Sequence, residues 1–284
     1  MSEMRDIARS AVRATLRYTG MLGGSRAGCL IREEFDPVRS VDTMGGRTIR
    51  FAVPNLVARH RAATLFEKEP ETIAWIDGFR PGDVLFDVGA NVGTYTVYAA
   101  SRGHRVIAIE PEAGNYALLN RNIALNDLDG EVTAYCMGLG DHEGLFMLNL
   151  STTQSANSQH QLGDAVDFAG KPFRPAFRQG AVGTTLDALA AACGTRPHHL
   201  KIDVDGMEAG VLRGARGLLG SAGMQSILVE FNELRADHRE AAEWLRSWGF
   251  RETSRGQSEE TTRGRFADCF NCIWTREREY RHSP

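Results

Sequence analysis

From residue 84 onward, short apolar runs alternate with segments of helical length, and this alternation restricts what the chain can fold into. VLFDVG (84–89) suits a strand buried on both faces, and TYTVYAASRG (94–103) has helical length and stops at Gly103. RVIAIEP (105–111) and AGNYALLNRNIALN repeat the unit, GEVTAYCMGLGD (130–141) reads as a third strand, and GLFMLNLS as an extra one. After a polar stretch come helix TLDALAAACG, strand LKIDVDG (200–206), helix MEAGVLRGARGLLG and strand SILVEFNE (226–233). Strand-helix units of this length require crossovers, so the strands run parallel in a doubly wound α/β sheet. The ending differs: helix REAAEWLRSWG leads to strands at FRETS and ADCFNCIWTRE, separated only by the polar linker RGQSEETTRGR. Strands without a helix between them pair antiparallel or lie apart. The expected sheet is seven-stranded and mostly parallel, with one reversed strand.

The remaining sequence sets boundaries. Residues 1–80 read as a helical cap or extension, and 81–284 as the main domain, with a lid-like insert at 151–183 carrying Phe168, Phe173, Phe177, Arg174 and Arg178. The N-terminal arginines Arg5, Arg9, Arg13 and Arg17 recur at helical spacing and read as a solvated helix face. They flank no uninterrupted apolar region of a signal peptide, and no apolar run approaches the ~18 residues of a membrane span. A net charge of -3 is too balanced to drive counterion-release binding to nucleic acid. The five cysteines show no disulfide-framework spacing, so a cytoplasmic setting is expected. Cys269 and Cys272 form a C-x-x-C without a second pair, a weak redox or zinc signal beside packing in a late strand. A homodimer is compatible with all of this.

In an open parallel sheet, ligands bind beyond the carboxyl ends of the strands where strand order reverses. The turn after the first strand reads Asp87-Val88-Gly89-Ala90-Asn91-Val92-Gly93-Thr94. Gly89 permits the tight turn and Gly93 close packing of the helix on the sheet. A dinucleotide fingerprint G-x-G-x-x-G would need glycines at 89, 91 and 94, where this chain has Gly89, Asn91 and Thr94. Asp87, just before the loop, disfavours phosphate and suits a cationic amine. Glu110 stands at the end of the second strand, followed by Pro111, where a ribose diol needs an acceptor, and Asp141 after the third strand could accept from an adenine amine. S-adenosylmethionine carries an amine, a ribose and an adenine, and no phosphate. Each acid alone could equally be a strand-end or capping carboxylate.

DVGANVGTY, IEPEAGNYALLNRNIALN, GLGDHEG, LKIDVDGMEAGVLRGA and LVEFNE resemble the FkbM family of S-adenosylmethionine-dependent methyltransferases across about residues 84–250. The resemblance implies a class I methyltransferase (Rossmann-like) fold and O-methylation of a hydroxyl on a sugar, glycan or polyketide-type natural product. Carried over, the cofactor loop falls on Asp87, Gly89, Ala90, Asn91 and Gly93, the ribose acid on Glu110 and the adenine contact on Asp141. The family usually shows Glu where this chain has Asp205. N-methylation of a small molecule or peptide, a nicotinamide-dependent oxidoreductase and a non-catalytic cofactor-binding scaffold are the alternatives.

At the reacting end, strand periodicity places Lys201, Asp203 and Asp205 on one side. Asp203 is the expected group for orienting or deprotonating the acceptor, with Lys201 holding it ionised. The two could equally form a structural ion pair. Asp205 and Glu208 read as a capping pair. The Asp203-Val204-Asp205 spacing could suit a divalent cation, but no third ligand is fixed beside it, and no metal is expected. His198 and His199 precede the fourth strand, away from the crevice.

Overall fold

The computed structural model describes residues 35–257 and 266–276, with positions 10–12, 14–15, 26 and 29–30. Arg5, Arg9, Arg13 and Arg17 of the N-terminal stripe and residues 258–265 of the polar linker lie outside the described residues. The chain divides into two compact units, Met1–Val38 and Arg39–Pro284, so residues 39–80 group with the main domain. From Val38 onward the order is β1 (Val38–Asp42), β2 (Thr48–Ala52), α1 (Leu56–Ala63), α2 (Pro70–Asp77), β3 (Val84–Val88), α3 (Thr94–Ser101), β4 (Arg105–Ile109), α4 (Ala113–Leu125), β5 (Val132–Tyr135), β6 (Gly138–Leu139) and β7 (Gly144–Leu150). There follow β8 (Gln161–Leu162), β9 (Phe177–Thr184), α5 (Leu186–Cys193), β10 (His199–Ile202), α6 (Glu208–Arg213), α7 (Arg216–Leu219), β11 (Ser226–Asn232), α8 (Ala236–Ser247), β12 (Phe250–Gly256) and β13 (Cys269–Arg276).

The main sheet has seven strands in the order β12-β13-β11-β10-β3-β4-β5, and β13 runs antiparallel to both neighbours. All five β3 residues are buried. Alternate side chains enter two separate cores, Val84, Phe86 and Val88 on one face and Leu85 on the other, as expected of a strand covered on both sides. α4 begins at Glu112, whose carboxylate accepts from the amides of Gly114 and Asn115 at 2.9 and 2.6 Å. It buries Leu118, Leu119, Asn122 and Ile123. The fully buried Asn122 accepts from the Ala52 amide at 2.8 Å and donates to the Val92 carbonyl at 2.7 Å, joining β2 to the loop after β3.

Two expectations are corrected. Residues 38–52, expected to be helical, form a hairpin; Ile49 and Phe51 alternate into the core after the Gly45-Gly46 turn. The strand expected over 130–141 is two: β5 stays in the main sheet, whereas β6 pairs with β9 in a second, four-stranded sheet of order β6-β9-β7-β8. The lid-like insert at 151–183 supplies β8 and most of β9 to this sheet, and β9 pairs antiparallel with β7 along its length. Among the described residues no helix is long and apolar enough to cross a membrane.

Candidate active site

β3 lies between β4 and β10, and its neighbours are reached in opposite directions, so the crevice beyond its carboxyl end is the switch point of the sheet. A cavity of about 350 Å³ occupies it. Its floor is the β3-α3 turn. Gly89 has φ +83°, and a Cβ there would stand 1.9 Å from the Asp203 carbonyl oxygen on the adjacent strand end. Gly93, also left-handed at φ +80°, brings α3 against Leu119, 2.3 Å from where its Cβ would be. Every amide from Gly89 to Gly93 is spent within the protein: Gly89 and Ala90 donate to the Ile109 carbonyl, Asn91 to Glu110, Val92 to the Asn91 side chain and Gly93 to the Ala90 carbonyl. None of these five remains for a pyrophosphate, the ligand that a dinucleotide loop holds by its backbone.

Glu110 follows β4 and is 5% exposed. One carboxylate oxygen accepts from the Asn91 amide at 2.8 Å and the other from the Glu112 amide at 2.9 Å, which aims the group along the cavity wall beside Pro111. Burial outweighs these bonds and raises its pKa to about 7. The folded chain therefore binds a proton between about pH 4.5 and 7 that the unfolded chain releases, so this contribution to stability is full below about 4.5 and lost as pH rises through 7. Glu110→Gln is expected to remove a decline on the order of 3 kcal/mol across that window, measured by denaturant melts at a series of pH values.

Asp87 sits inside β3, 1% exposed. One oxygen accepts from the Thr96 hydroxyl at 2.6 Å; the other is buried without a hydrogen-bond partner. Burial raises its pKa, with the Lys201 ammonium opposing. Asp87 and Ala90 line a small recess of about 40 Å³ that shares Gly89, Asn91 and Asp203 with the main cavity. Asn91, at φ +52°, donates its side-chain amide to the Asn157 carbonyl at 2.8 Å. Asn115 and Arg61 hold the same segment through Ala156 and Asn157, so residues 157–160 close one wall of the cavity.

Asp141 is not brought to the cavity. The shift of residues 138–139 into the second sheet carries it to the surface, where it meets His142 at 2.7 Å and Arg213 at 3.5 Å. On that side the wall is apolar, built from Met137, Gly138, Leu139, Leu148 and Leu162.

β10 ends at Ile202, so Asp203 and Asp205 lie past the strand and the alternation expected through Asp205 stops there. Lys201 is 2% exposed beside its register partner Asp87 and meets Asp203 at 2.9 Å. Burial disfavours the ammonium, but Asp203, Asp87 and Glu69 raise its pKa overall. Asp203 is itself driven down against burial, chiefly by Lys201. Asp205 adopts φ +54° and accepts from the Gln159 amide. Burial first, then the Asp203 charge, raises its pKa to about 7. Sequence reasoning had read Asp205 with Glu208 as a capping pair. In fact Glu208 turns inward and takes the amides of Val204 and Gly206, both at 3.1 Å. Glu230, near the carboxyl end of β11, where the sequence also places an acid, lines the wall; burial and the surrounding acids push its pKa well above the usual carboxylate range. The signal for both was an acid at or just past a strand's carboxyl end.

Cys269 and Cys272 are free and, three apart on β13, fall on opposite faces of the strand; burial raises both thiols to about 12. Among the described residues no three His, Cys, Asp or Glu side chains converge on a metal position. His199 lies at the amino end of the sheet, bonded to Asp83 and Ser226 at 2.9 and 2.7 Å and lowered by burial to about 4.

The sequence profile of the methyltransferase FkbM domain matches residues 87–252, more than half of the chain. The chain belongs to the FkbM methyltransferase family. It is an S-adenosylmethionine-dependent methyltransferase with a Rossmann-like sheet. The methyltransferase is 26% identical over 186 residues to Methyltransferase 1 of Beauveria bassiana (strain ARSEF 2860), a match covering 61% of this chain and 74% of that protein. It is 28% identical over 153 residues to Methyltransferase sdnD of Sordaria araneosa, covering 46% and 59%. With a tRNA (guanine(37)-N(1))-methyltransferase of Aedes aegypti it shares 35% identity over 60 residues, 21% of this chain and 11% of that one. The second and third matches span less than two thirds of those relatives' own lengths. Among solved structures it is similar to magnesium protoporphyrin IX methyltransferase from Synechocystis PCC 6803 with bound SAM, at TM-score 0.43 and 14% identity over 80% of this chain and 86% of that one.

Proposed function

We propose that this enzyme methylates a hydroxyl of a sugar, glycan or polyketide-type natural product. The observation that carries the reading is Asp205: a carboxylate on the cavity wall, with a pKa of about 7, is matched to accept a hydroxyl proton near neutral pH. The donor's features fit the residues present. The unpartnered Asp87 oxygen suits the methionine amine, directly or through water, Glu110 suits the ribose diol, and the Gly89-Asn91 floor offers no phosphate site. The apolar wall of Leu139 and Leu162 takes over the adenine side expected of Asp141. When bound, S-adenosylmethionine supplies a methyl group on a positively charged sulfur.

In this reading Lys201 keeps Asp203 ionised, and Asp203 orients the acceptor hydroxyl. Asp205 is placed to receive the hydroxyl proton, which would leave the acceptor oxygen free to take the methyl group that bound S-adenosylmethionine would supply. The protein's main contribution is to hold oxygen and methyl in line. Glu69, Asp203, Asp205 and Glu230 face the cavity, against Arg61 and Lys68, so a neutral polyhydroxyl acceptor is favoured over a phosphate or carboxylate. The five free thiols support a cytoplasmic setting.

Glu110→Ala is expected to weaken S-adenosylhomocysteine binding roughly 30- to 100-fold in calorimetric titration, the equivalent of about 2–3 kcal/mol for hydrogen bonds to a charged group. To test the acceptor class, isotopically methyl-labelled cofactor is incubated with a panel of sugars, polyketide-type alcohols, amines and peptides, and the product is read by NMR. A labelled O-methyl resonance supports the reading; an N-methyl resonance from the amines or peptides alone overturns it.

A further inference from the structure

The turn that presents Asp205 is held from behind by a residue that touches neither donor nor acceptor. Glu208, the first residue of α6, is fully buried and uses one carboxylate oxygen to accept from the amides of Val204 and Gly206 on either side of Asp205. Its other oxygen stands 3.2 Å from Nε2 of His238, itself only 3% exposed on α8, a close polar contact of two buried atoms that make no hydrogen bond elsewhere and are not aligned for one with each other. The ring is oriented from its far side: Nδ1 accepts the Asn232 amide at 3.0 Å, so the proton of the neutral imidazole must sit on Nε2, facing Glu208. Two successive residues of the turn, Asp205 at φ +54° and Gly206 at φ +111°, are left-handed, and such a backbone persists only when its surroundings over-determine it. Arg235, the residue before α8, adds a second brace: a Cβ on Gly206 would lie 3.0 Å from its Nη1, which donates to the Phe168 carbonyl at 3.3 Å.

We infer that His238 is a positioning residue for methyl transfer, orienting Glu208 so that the 204–206 turn presents the Asp205 carboxyl to the acceptor. The inference rests on the reading of Asp205 as the base that receives the acceptor's proton. An isolated helix cap would need no imidazole behind it; here a carboxylate with two amides on one oxygen has its other oxygen buried without a hydrogen bond and set against the ring nitrogen, across two elements that both pack at the end of the sheet. Burial weighs most on the titration of Asp205, and the groups that face it are Asp203, Glu208, Glu230, Arg61 and the donating Gln159 amide. The chain of contacts thus runs from the Asn232 amide through His238 and Glu208 to the backbone on both sides of Asp205.

The test uses the full chain and needs no acceptor for its first arm. Carbon-13 NMR of the side-chain carboxyls follows Asp205 from pH 4 to 9 in the wild type, His238→Leu and His238→Gln, the last keeping an N-H donor where Nε2 stood. The expected result is that Asp205 titrates at least one pH unit lower in His238→Leu, as a released turn lets water reach it, and stays within a few tenths of the wild type in His238→Gln. Thermal melts and S-adenosylhomocysteine titration of each variant identify any that fail to fold; should His238→Leu do so, His238→Ala and Glu208→Gln take its place, with the same shift expected. An unmoved Asp205 in folded His238→Leu overturns the inference. In the second arm, the acceptor found by the labelled-methyl screen is used to measure turnover. The expected result is a loss of 10-fold or more in kcat for His238→Leu with the KM for S-adenosylmethionine unchanged, recovered in His238→Gln; equal losses in both variants overturn the inference. A shifted Asp205 with an N-methyl product would instead leave the brace standing and defeat the hydroxyl reading alone.

Discussion

Asp205→Asn is expected to lower turnover by roughly 10²- to 10⁴-fold while leaving S-adenosylhomocysteine binding within about threefold of the wild type. The side chain keeps its size and can still accept from the Gln159 amide, so the turn survives, but the group that receives the proton is gone. The sign of the pH dependence follows. Its pKa of about 7 in the folded protein leaves Asp205 protonated in mildly acid solution, so wild-type kcat/KM should rise as pH increases through 7 and then level. The asparagine variant should lose that rise. Asp203→Asn should behave differently. Asp203 is held ionised by Lys201, which makes it a poor proton acceptor, so its loss costs orientation and leaves the buried ammonium with only Asp87 and Glu69 nearby. A smaller fall in turnover that retains the pH rise is expected. Steady-state rates between pH 5.5 and 9 distinguish the two carboxylates; a flat wild-type profile, or the larger loss in Asp203→Asn, would reverse their roles.

The second large effect is at Gly89. Any L-residue there enters a left-handed conformation that costs about 1–2 kcal/mol, and its Cβ meets a carbonyl oxygen at less than two thirds of a normal contact distance. That oxygen belongs to Asp203, so relief requires β10 to move away from β3 at the point where the cavity is built. Gly89→Ala is therefore expected to lose more than about 3 kcal/mol of stability and most of its S-adenosylhomocysteine affinity together. Gly93→Ala provides the contrast: its clash is with the end of the flexible Leu119 side chain, which can turn aside. Urea unfolding and calorimetry on both variants check the pair. A Gly89→Ala protein that unfolds within 1 kcal/mol of the wild type would show that the turn is looser than its geometry indicates.

The parallel core of the sheet was legible because each β3-to-α4 unit is local. An all-buried strand, a glycine turn and a helix follow one another within about 20 residues, and the acid at 110 falls at the strand end as expected. What was missed depends on distant pairing. Nothing within GEVTAYCMGLGD marks that residues 138–139 will leave the main sheet, because their partner is β9, more than 40 residues away. That departure is also what carries Asp141 off to His142 and Arg213. The hairpin at 38–52 left a local trace, alternating apolar residues around Gly45-Gly46, but the long helical pattern that follows overshadowed it. At the acceptor end, period-two reasoning ran one turn too far. It assumed a strand through Asp205, whereas the chain turns left-handed at 205–206, where Glu208 accepts from the amides on both sides of Asp205.

A crystal structure with S-adenosylhomocysteine bound tests the site most directly. The ribose hydroxyls are expected on Glu110, the amino group toward the unpartnered oxygen of Asp87, and the sulfur facing Asp203 and Asp205. A nucleoside bound elsewhere, with Glu110 meeting only the Asn91 and Glu112 amides, would contradict the assignment.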